Sequence, residues 1–375
     1  MTVRILRIVA RMNVGGPAVE ITTLMRGLDS QAFHQELLVG SCGPDEEDFL
    51  TTQAPDIPYR RIPGLGRSVR PLDDLRALRA TMRHIRAFNP DIIHTHTAKA
   101  GAIGRIAAIL VRSKARRVHT FHGHILHGYF TRWQSTLIRW WEATLARRTN
   151  VLITVGNAVR DQLIQQGIGT IKQFHVIPPG IALTGIPSRE QARDELALDA
   201  AVPVLCYVGR ITGIKRPDRM LDVVQCLTAA FPNLKVLVAG GGDLEASIRA
   251  DASARALPIH FLGWRTDIAT IFAASNVTLL TSDNEGTPIS LIQAGLCGIP
   301  SVATSVGSVD YVVPNGVAGL VVPPITEELC EAVGTLLRDE PLRRALGEGA
   351  RAHACKEFSV VTFLNRHADI YRNAP

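Results

Sequence analysis

The chain has 375 residues, 46% hydrophobic and 20% charged, with a net charge of +7. That is the composition of an ordinary globular protein, and the length favours two domains over a single core. No stretch approaches the ~20 apolar residues of a spanning helix, and the six scattered cysteines show neither a CxxC pair nor a Cys/His spacing suited to zinc. Several of those thiols fall inside apolar runs, where cysteine behaves as a small hydrophobe, and the expected compartment is a reducing cytoplasm. The charge is uneven: residues 1–180 hold 24 Lys/Arg against 13 Asp/Glu, and the remainder holds 17 against 21. A basic first half and a mildly acidic second half suit different partners. Nucleic acid is not expected among them, since no arginine-rich recognition helix, zinc finger or RNA-binding aromatic signature occurs. Anionic small molecules or an anionic membrane surface fit the basic half better.

Along the chain, strand-like and helix-like runs alternate. The first run, RILRIVARM (4–12), is broken by Arg4, Arg7 and Arg11, so it reads as a strand and not as the apolar core of a signal peptide. It leads into the turn NVGGPA and the amphipathic stretch VEITTLMRGL. QELLVGSC, the helix-like LDDLRALRATMRHIRAF, the strand DIIHTHT, the helix KAGAIGRIAAILV and the strands RRVHTFHG and NVLITVGN follow. After HVIPPGI (175–181) a polar connection, TGIPSREQARDELALDAAVP, interrupts the pattern. It then restarts with VLCYVG, a helix near 217–231, KVLVAGG, a helix near 243–256, IHFLG, NVTLLTS, SVAT and GLVV. Buried apolar strands alternating with helices predict parallel sheets covered on both faces. Two such halves with a break near 180–200 predict an α/β protein of two lobes, with ligands beyond the carboxyl ends of the strands and the cleft between lobes as the natural site.

The chemistry-bearing residues concentrate at strand ends. NEGTPISLIQ (284–293) has the grammar of a helix start, with Thr287 as cap and Pro288 at the first helical position. Free N–H groups on Gly286, Thr287, Ile289 and Ser290 would then favour a phosphate. Glu285 would repel that phosphate unless it faces something else, such as sugar hydroxyls; a capped core helix with a solvated glutamate fits these residues equally. VGRITGIKRPD (208–218) places Arg210 at a strand end and Lys215 just before a helix opened by Pro217, and two such cations can neutralise a diphosphate. Glycines 240–242 allow a ligand to approach the backbone closely, or simply make a tight turn.

Together, residues 281–304, the VGRxxxxK run, GGGD, FLGW (261–264) and the NVGG turn make the chain resemble the retaining glycosyltransferases of family four, in order and over essentially its whole length. The resemblance implies a GT-B architecture of two Rossmann-like domains: residues 1–182 binding the acceptor, 183–356 binding the nucleotide sugar, and a final helix, 357–375, crossing back to the first. It implies a nucleotide diphosphate sugar, expected to be UDP-linked, as donor, and a carbohydrate or lipid-linked hydroxyl as acceptor. The enzyme would be a hexosyltransferase needing neither cofactor nor metal, and no DxD motif occurs. By the same resemblance Arg210 and Lys215 hold the diphosphate, Glu285 contacts the donor sugar, and Gly15, Gly16 and Gly241 line the donor. Gln293 stands where the family carries a second glutamate for the ribose hydroxyls. The amide loses one charged hydrogen bond, on the order of 1–2 kcal/mol, which reads as a weakening or retuning and not as proof of inactivity. His122, in the histidine-rich VHTFHGHILHGYF (118–130), matches the family's active-site histidine. His124 and His127 read as loop residues.

His96 and Lys99 could line the acceptor cleft, although a satisfied structural histidine accounts for His96 more simply. YFTRWQSTLIRWWEATLARRT (129–149), with three tryptophans and a net charge of +3, reads either as a helix packing Trp140 and Trp141 into the first lobe or as a peripheral membrane surface. Two rival functions share these residues: a protein that binds a nucleotide sugar without transferring it, which Gln293 suits, and a sugar-nucleotide epimerase. The latter needs acid and base carboxylates where the motifs offer only Glu285.

Overall fold

A computed structural model describes residues 2–43, 46–66, 68–122 and 132–373, with side chains from 136 onward in the last segment. The chain divides into two compact units, Met1–Gly180 with Val360–Pro375, and Ile181–Ser359. The break falls where the polar connection follows HVIPPGI, and the terminal helix joins the first unit three residues later than the expected boundary.

The first unit holds a seven-stranded parallel sheet: β1 (Val3–Val9), β2 (Phe33–Val39), β3 (Arg60–Arg61), β4 (Ile92–His96), β5 (Arg116–Phe121), β6 (Val151–Thr154) and β7 (Phe174–Val176), in the order β3-β2-β1-β4-β5-β6-β7. Ile5, Leu6, Ile8 and Val9 are fully buried although they alternate between faces, because helices cover both sides. Arg7, also fully buried in β1, is accommodated by hydrogen bonds: its Nε and Nη2 donate to Gln35 Oε1 (3.1 and 2.9 Å) and its Nη1 donates to the Tyr371 hydroxyl (2.9 Å). Tyr371 lies on the terminal helix Val360–Arg372, so this buried cation fastens that helix to the sheet.

The second unit repeats the plan with six parallel strands: β8 (Val204–Val208), β9 (Lys235–Ala239), β10 (Ile259–Gly263), β11 (Val277–Leu280), β12 (Ser301–Thr304) and β13 (Gly319–Val322), in the order β10-β9-β8-β11-β12-β13. Both orders reverse direction once, between β1 and β4 and between β8 and β11. At such a switch point the loops leaving adjacent strands diverge and open a crevice at the carboxyl edge.

The cysteines are not all free thiols. Cys226 on the helix Pro217–Thr228 and Cys330 on the helix Thr326–Arg338 are bridged, 104 residues apart in sequence. This corrects the reading of six isolated thiols, for a separation that long leaves no spacing motif. Among the described residues no helix is long and apolar enough to cross a membrane.

Candidate active site

In the second unit the expected donor-binding residues converge on the carboxyl edge around the β8/β11 switch. Arg210 lies two residues beyond the end of β8; it is exposed, and its guanidinium has no protein partner among the described residues. The loop beyond it is tied to its neighbours by backbone bonds: Ile211 N–H donates to Gly241 C=O (2.9 Å) and Asp283 N–H donates to Ile214 C=O (3.0 Å). Arg219, buried in the following helix, donates to Thr281 C=O (2.6 Å) and pairs with Asp283 (2.8 Å). Arg216 pairs with both Asp218 and Asp283. These contacts hold Lys215 at a fixed place beside Glu285.

Lys215 and Glu285 form an ion pair, and Ser282 Oγ donates to the same carboxylate oxygen (2.6 Å). Glu285 is only 7% exposed, and these two contacts satisfy its buried oxygen. Lysine has three N–H donors, so the pair leaves Lys215 able to hold a second anion. The turn is shaped by Gly307 (φ +58): a Cβ there would lie 1.7 Å from Glu285 C=O, so only glycine lets the two backbones meet.

The helix begins one residue later than the motif predicts. It spans Ile289–Leu296 with Pro288 as N-cap and without a side-chain cap, so Thr287 is not the cap and Pro288 is not the first helical residue. The cap residue carries extended backbone, which proline tolerates. The N–H groups of Gly286, Ile289 and Ser290 have no acceptor among the described residues. Gln293 is half-buried on this helix, and its side-chain amide likewise has no partner among them. Gly241 packs against Trp264 and Glu245, where a Cβ would sit 2.7 and 2.9 Å from their side chains.

In the first unit Gly15 and Gly16 open the helix Gly16–Gly27 after β1, with no side-chain cap. His122 follows β5, two strands from β1. It is bracketed: Nδ1 lies 3.3 Å from Glu20 Oε2, and Nε2 is within hydrogen-bond distance of His96 Nδ1 at 3.1 Å. Glu20 was not singled out in the sequence. It is 2% exposed on the apolar face of the Gly16–Gly27 helix, and its second oxygen has no partner among the described residues. A carboxylate on the buried face of an amphipathic stretch is the signal that could have found it. It fixes the ring orientation of His122 and favours a proton on Nδ1.

His96 lies inside the first unit, and Lys99 is half-buried. His96 is fully buried at the end of β4, and burial, then the charge of His122, holds its pKa well below 6.5. Its Nε2 has no partner among the described residues. Lys99 is committed to Asp74 (2.6 Å) and to Ser68 C=O. Behind His96, His94 meets Arg7, Tyr371 (2.7 Å) and Thr120 (2.8 Å), completing a buried histidine layer with His119 and His367. Among the described residues no three His, Cys, Asp or Glu converge as metal ligands would. His124 and His127 lie outside the described residues.

The aromatic helix runs Arg132–Ala146. Glu142 on its inner face pairs with buried Arg105 (2.7 Å), and Leu145 and Ala146 are buried beside it. Trp140 and Trp141 are not core residues: they are 59% and 47% exposed, edge-to-face with each other, beside exposed Leu137.

Comparison with known proteins supplies the family. Residues 14–184 match the model of glycosyltransferase family 4 and residues 188–353 that of glycosyl transferases group 1. The chain is 25% identical to the Escherichia coli UDP-Gal:alpha-D-GlcNAc-diphosphoundecaprenol alpha-1,3-galactosyltransferase, over 83% of this chain and 82% of that one. It is 29% identical to the D-inositol 3-phosphate glycosyltransferase of Saccharomonospora viridis, over 76% and 70%. The Anabaena HepE protein, solved in complex with UDP, superimposes with a TM-score of 0.83 at 22% identity, over 98% of this chain and 99% of that one. The two parallel-sheet α/β units are those of GT-B proteins, and the chain belongs to the family-four glycosyltransferases.

Proposed function

We propose that this glycosyltransferase moves a sugar, with retention of anomeric configuration and without a metal, from a UDP-sugar to a hydroxyl of a lipid-linked or polysaccharide precursor. The observation that carries the proposal is the grouping at the β8/β11 switch of an unpartnered arginine, a lysine held against a buried glutamate, and the free amides of a helix start. Cleaving the bond between sugar and nucleotide leaves negative charge on the diphosphate. Fixed cations and amides aimed at that charge lower the barrier because they need not reorganise as it forms. In this reading Arg210, Lys215 and the amides of Gly286, Ile289 and Ser290 take the diphosphate, Glu285 the donor sugar and Gln293 the ribose. His122, held by Glu20, serves the reacting centre. The UDP preference and the lipid-linked acceptor rest on the relatives named above, one acting from UDP-Gal on a diphosphoundecaprenol-linked sugar and one crystallised with UDP.

Incubation with a panel of UDP- and GDP-sugars tests the reading. Slow release of one nucleoside diphosphate is expected, and NMR of the transferred sugar reports retention or inversion. Binding without release would favour the second reading, a non-transferring nucleotide-sugar binder, which the glutamine at 293 supports.

The exposed Leu137, Trp140 and Trp141, with Arg139, Arg147 and Arg148 exposed on the same helix and just beyond it, suit the surface of an anionic bilayer, where a lipid-linked acceptor would lie. Cosedimentation with phosphatidylglycerol vesicles at low salt should be lost in Trp140→Ser/Trp141→Ser. Equal sedimentation of both proteins would remove the membrane from the account.

A further inference from the structure

Ligands of parallel α/β sheets bind at the carboxyl edge, and the opposite, amino edge ordinarily carries only connections. In the second unit that amino edge holds a cavity of about 390 Å3, lined where β8, β11 and β12 begin by Val202, Asn276 and Ile299 and capped by Arg189, Arg343 and Arg344. The strands between it and the donor-binding loops are four and five residues long, which separates the two places by about 15 Å.

The charges around this cavity do not balance. Arg193, buried beneath it, has four of its five N–H groups engaged: its guanidinium donates to the carbonyls of Ala274, Asp199 and Ala200 and to Asn276 Oδ1. Arg189 makes one bond, Nη1 to Ser275 C=O at 2.8 Å, and its Nε and Nη2 have no partner among the described residues. Arg343 spends Nη1 on the carbonyls of Leu336 and Leu337 (2.8 and 3.3 Å) and leaves Nε and Nη2 without one. The one carboxylate lining the cavity, Glu340, lies 3.6 Å from Arg344, which is itself largely solvent-exposed. Arg189 is exposed as a residue, yet its guanidinium is packed down on Ser275. That partial burial, with Arg193 and Arg343 nearby, pushes its pKa down to about 10 against the pull of Glu340. Guanidinium charge is thus concentrated where neutral carbonyls, not carboxylates, answer it.

We propose that this cavity is a second anion site, in which the free edges of Arg189 and Arg343 grip a small phosphate-class anion independently of the donor site. Two planar guanidinium forks facing one cavity suit a tetrahedral oxyanion better than a lone carboxylate, because each fork can bind two of its oxygens. Asn276 supplies a side-chain amide at the floor, and its oxygen is already occupied by Val204 N–H and Arg193.

Calorimetric titration with inorganic pyrophosphate, and in a second arm with inorganic phosphate, tests this at constant ionic strength with saturating UDP present to fill the donor site. The wild-type protein should bind one further pyrophosphate. Arg189→Gln should weaken that binding by about tenfold, and Arg189→Gln/Arg343→Gln should abolish it, with UDP affinity unchanged. Tighter binding of pyrophosphate than phosphate is expected if both forks engage. Wild-type pyrophosphate affinity in Arg189→Gln/Arg343→Gln, or no binding by the wild type at millimolar concentration, would overturn the proposal. If loss of the Arg343 bonds to the Leu336 and Leu337 carbonyls unfolds the double variant, Arg189→Gln alone decides, since it gives up one hydrogen bond. Should UDP itself fail to bind, the donor reading fails separately, and the titration is repeated in Arg210→Gln/Lys215→Gln, where this site alone remains.

Discussion

Acid should unfold the first unit before the second. His94, His96, His119 and His367 are fully buried in the first unit, and burial is the leading cause that lowers the pKa of each, His367 to about 4 and the others well below 6.5. A histidine whose folded pKa lies below its unfolded value stays neutral in the native state while the unfolded chain takes up a proton. Stability is therefore intact above pH 6.5 and falls as pH drops through 6.5 towards the folded pKa. One pH unit below 6.5 costs about 1.4 kcal/mol per histidine. All four act in the same direction, so pH 5.5 is unfavourable relative to pH 7.5 by up to about 5 kcal/mol, a large share of the total stability of an ordinary domain. The second unit is an internal control, because its two histidines, His260 and His353, are not fully buried. Hydrogen exchange read by mass spectrometry at pH 7.5, 6.5 and 5.5, corrected for intrinsic exchange, gives opening free energies for both units in one sample. Peptides from β4 and β5 should lose up to about 5 kcal/mol of protection while those from β8 and β11 lose much less, and His367→Gln should recover about 1 kcal/mol of it. Equal losses in the two units, or none in β4 and β5, would refute the assignment of these histidines as buried neutral groups.

Glu20→Gln keeps the shape of the contact to His122 but removes its charge. It should cut kcat by about ten- to a hundredfold with KM changed little, and Glu20→Asp should restore part of the loss; wild-type kcat in Glu20→Gln would make Glu20 a packing residue. Gln293→Glu restores a charged acceptor for a ribose and should tighten UDP binding by about 1–2 kcal/mol in calorimetry, whereas unchanged or weaker binding would take the ribose away from position 293. Opening the Cys226–Cys330 bridge frees a 104-residue loop in the unfolded state. Cys226→Ser should lower the stability of the second unit by up to about 4–5 kcal/mol in denaturant titrations, and a reductant should lower that of the wild type but not of the variant.

The architecture was legible because parallel strands covered on both faces leave continuous apolar runs, as in VLCYVG and NVTLLTS, and glycines and prolines mark where each run stops. Short edge strands were not: β3 is the two residues Arg60–Arg61, and nothing apolar announces it. The grouping of Arg210, Lys215, Glu285 and Gln293 could be read from motif spacing, since each follows a strand that the sheet order brings together. What depends on through-space partners could not. The ion pair of Lys215 with Glu285, the contacts of His96 with His122 and of Lys99 with Asp74, and the Glu20–His122 contact join residues about 25 to over 100 positions apart. The aromatic helix stayed open between core and surface, because tryptophan is usually buried and the sequence alone does not say which face Glu142 and Arg105 draw inward.

The central claim is that a diphosphate is gripped at the end of β8. Arg210 offers the cleanest test: it is exposed and has no protein partner among the described residues, so Arg210→Ala removes a ligand contact and little else. Calorimetric titration of wild type and variant with UDP and with uridine separates the phosphate grip from the base and ribose. UDP affinity should fall by about tenfold or more while uridine binds both proteins alike. UDP binding equally tight in the variant, or a parallel loss for uridine, would contradict the account.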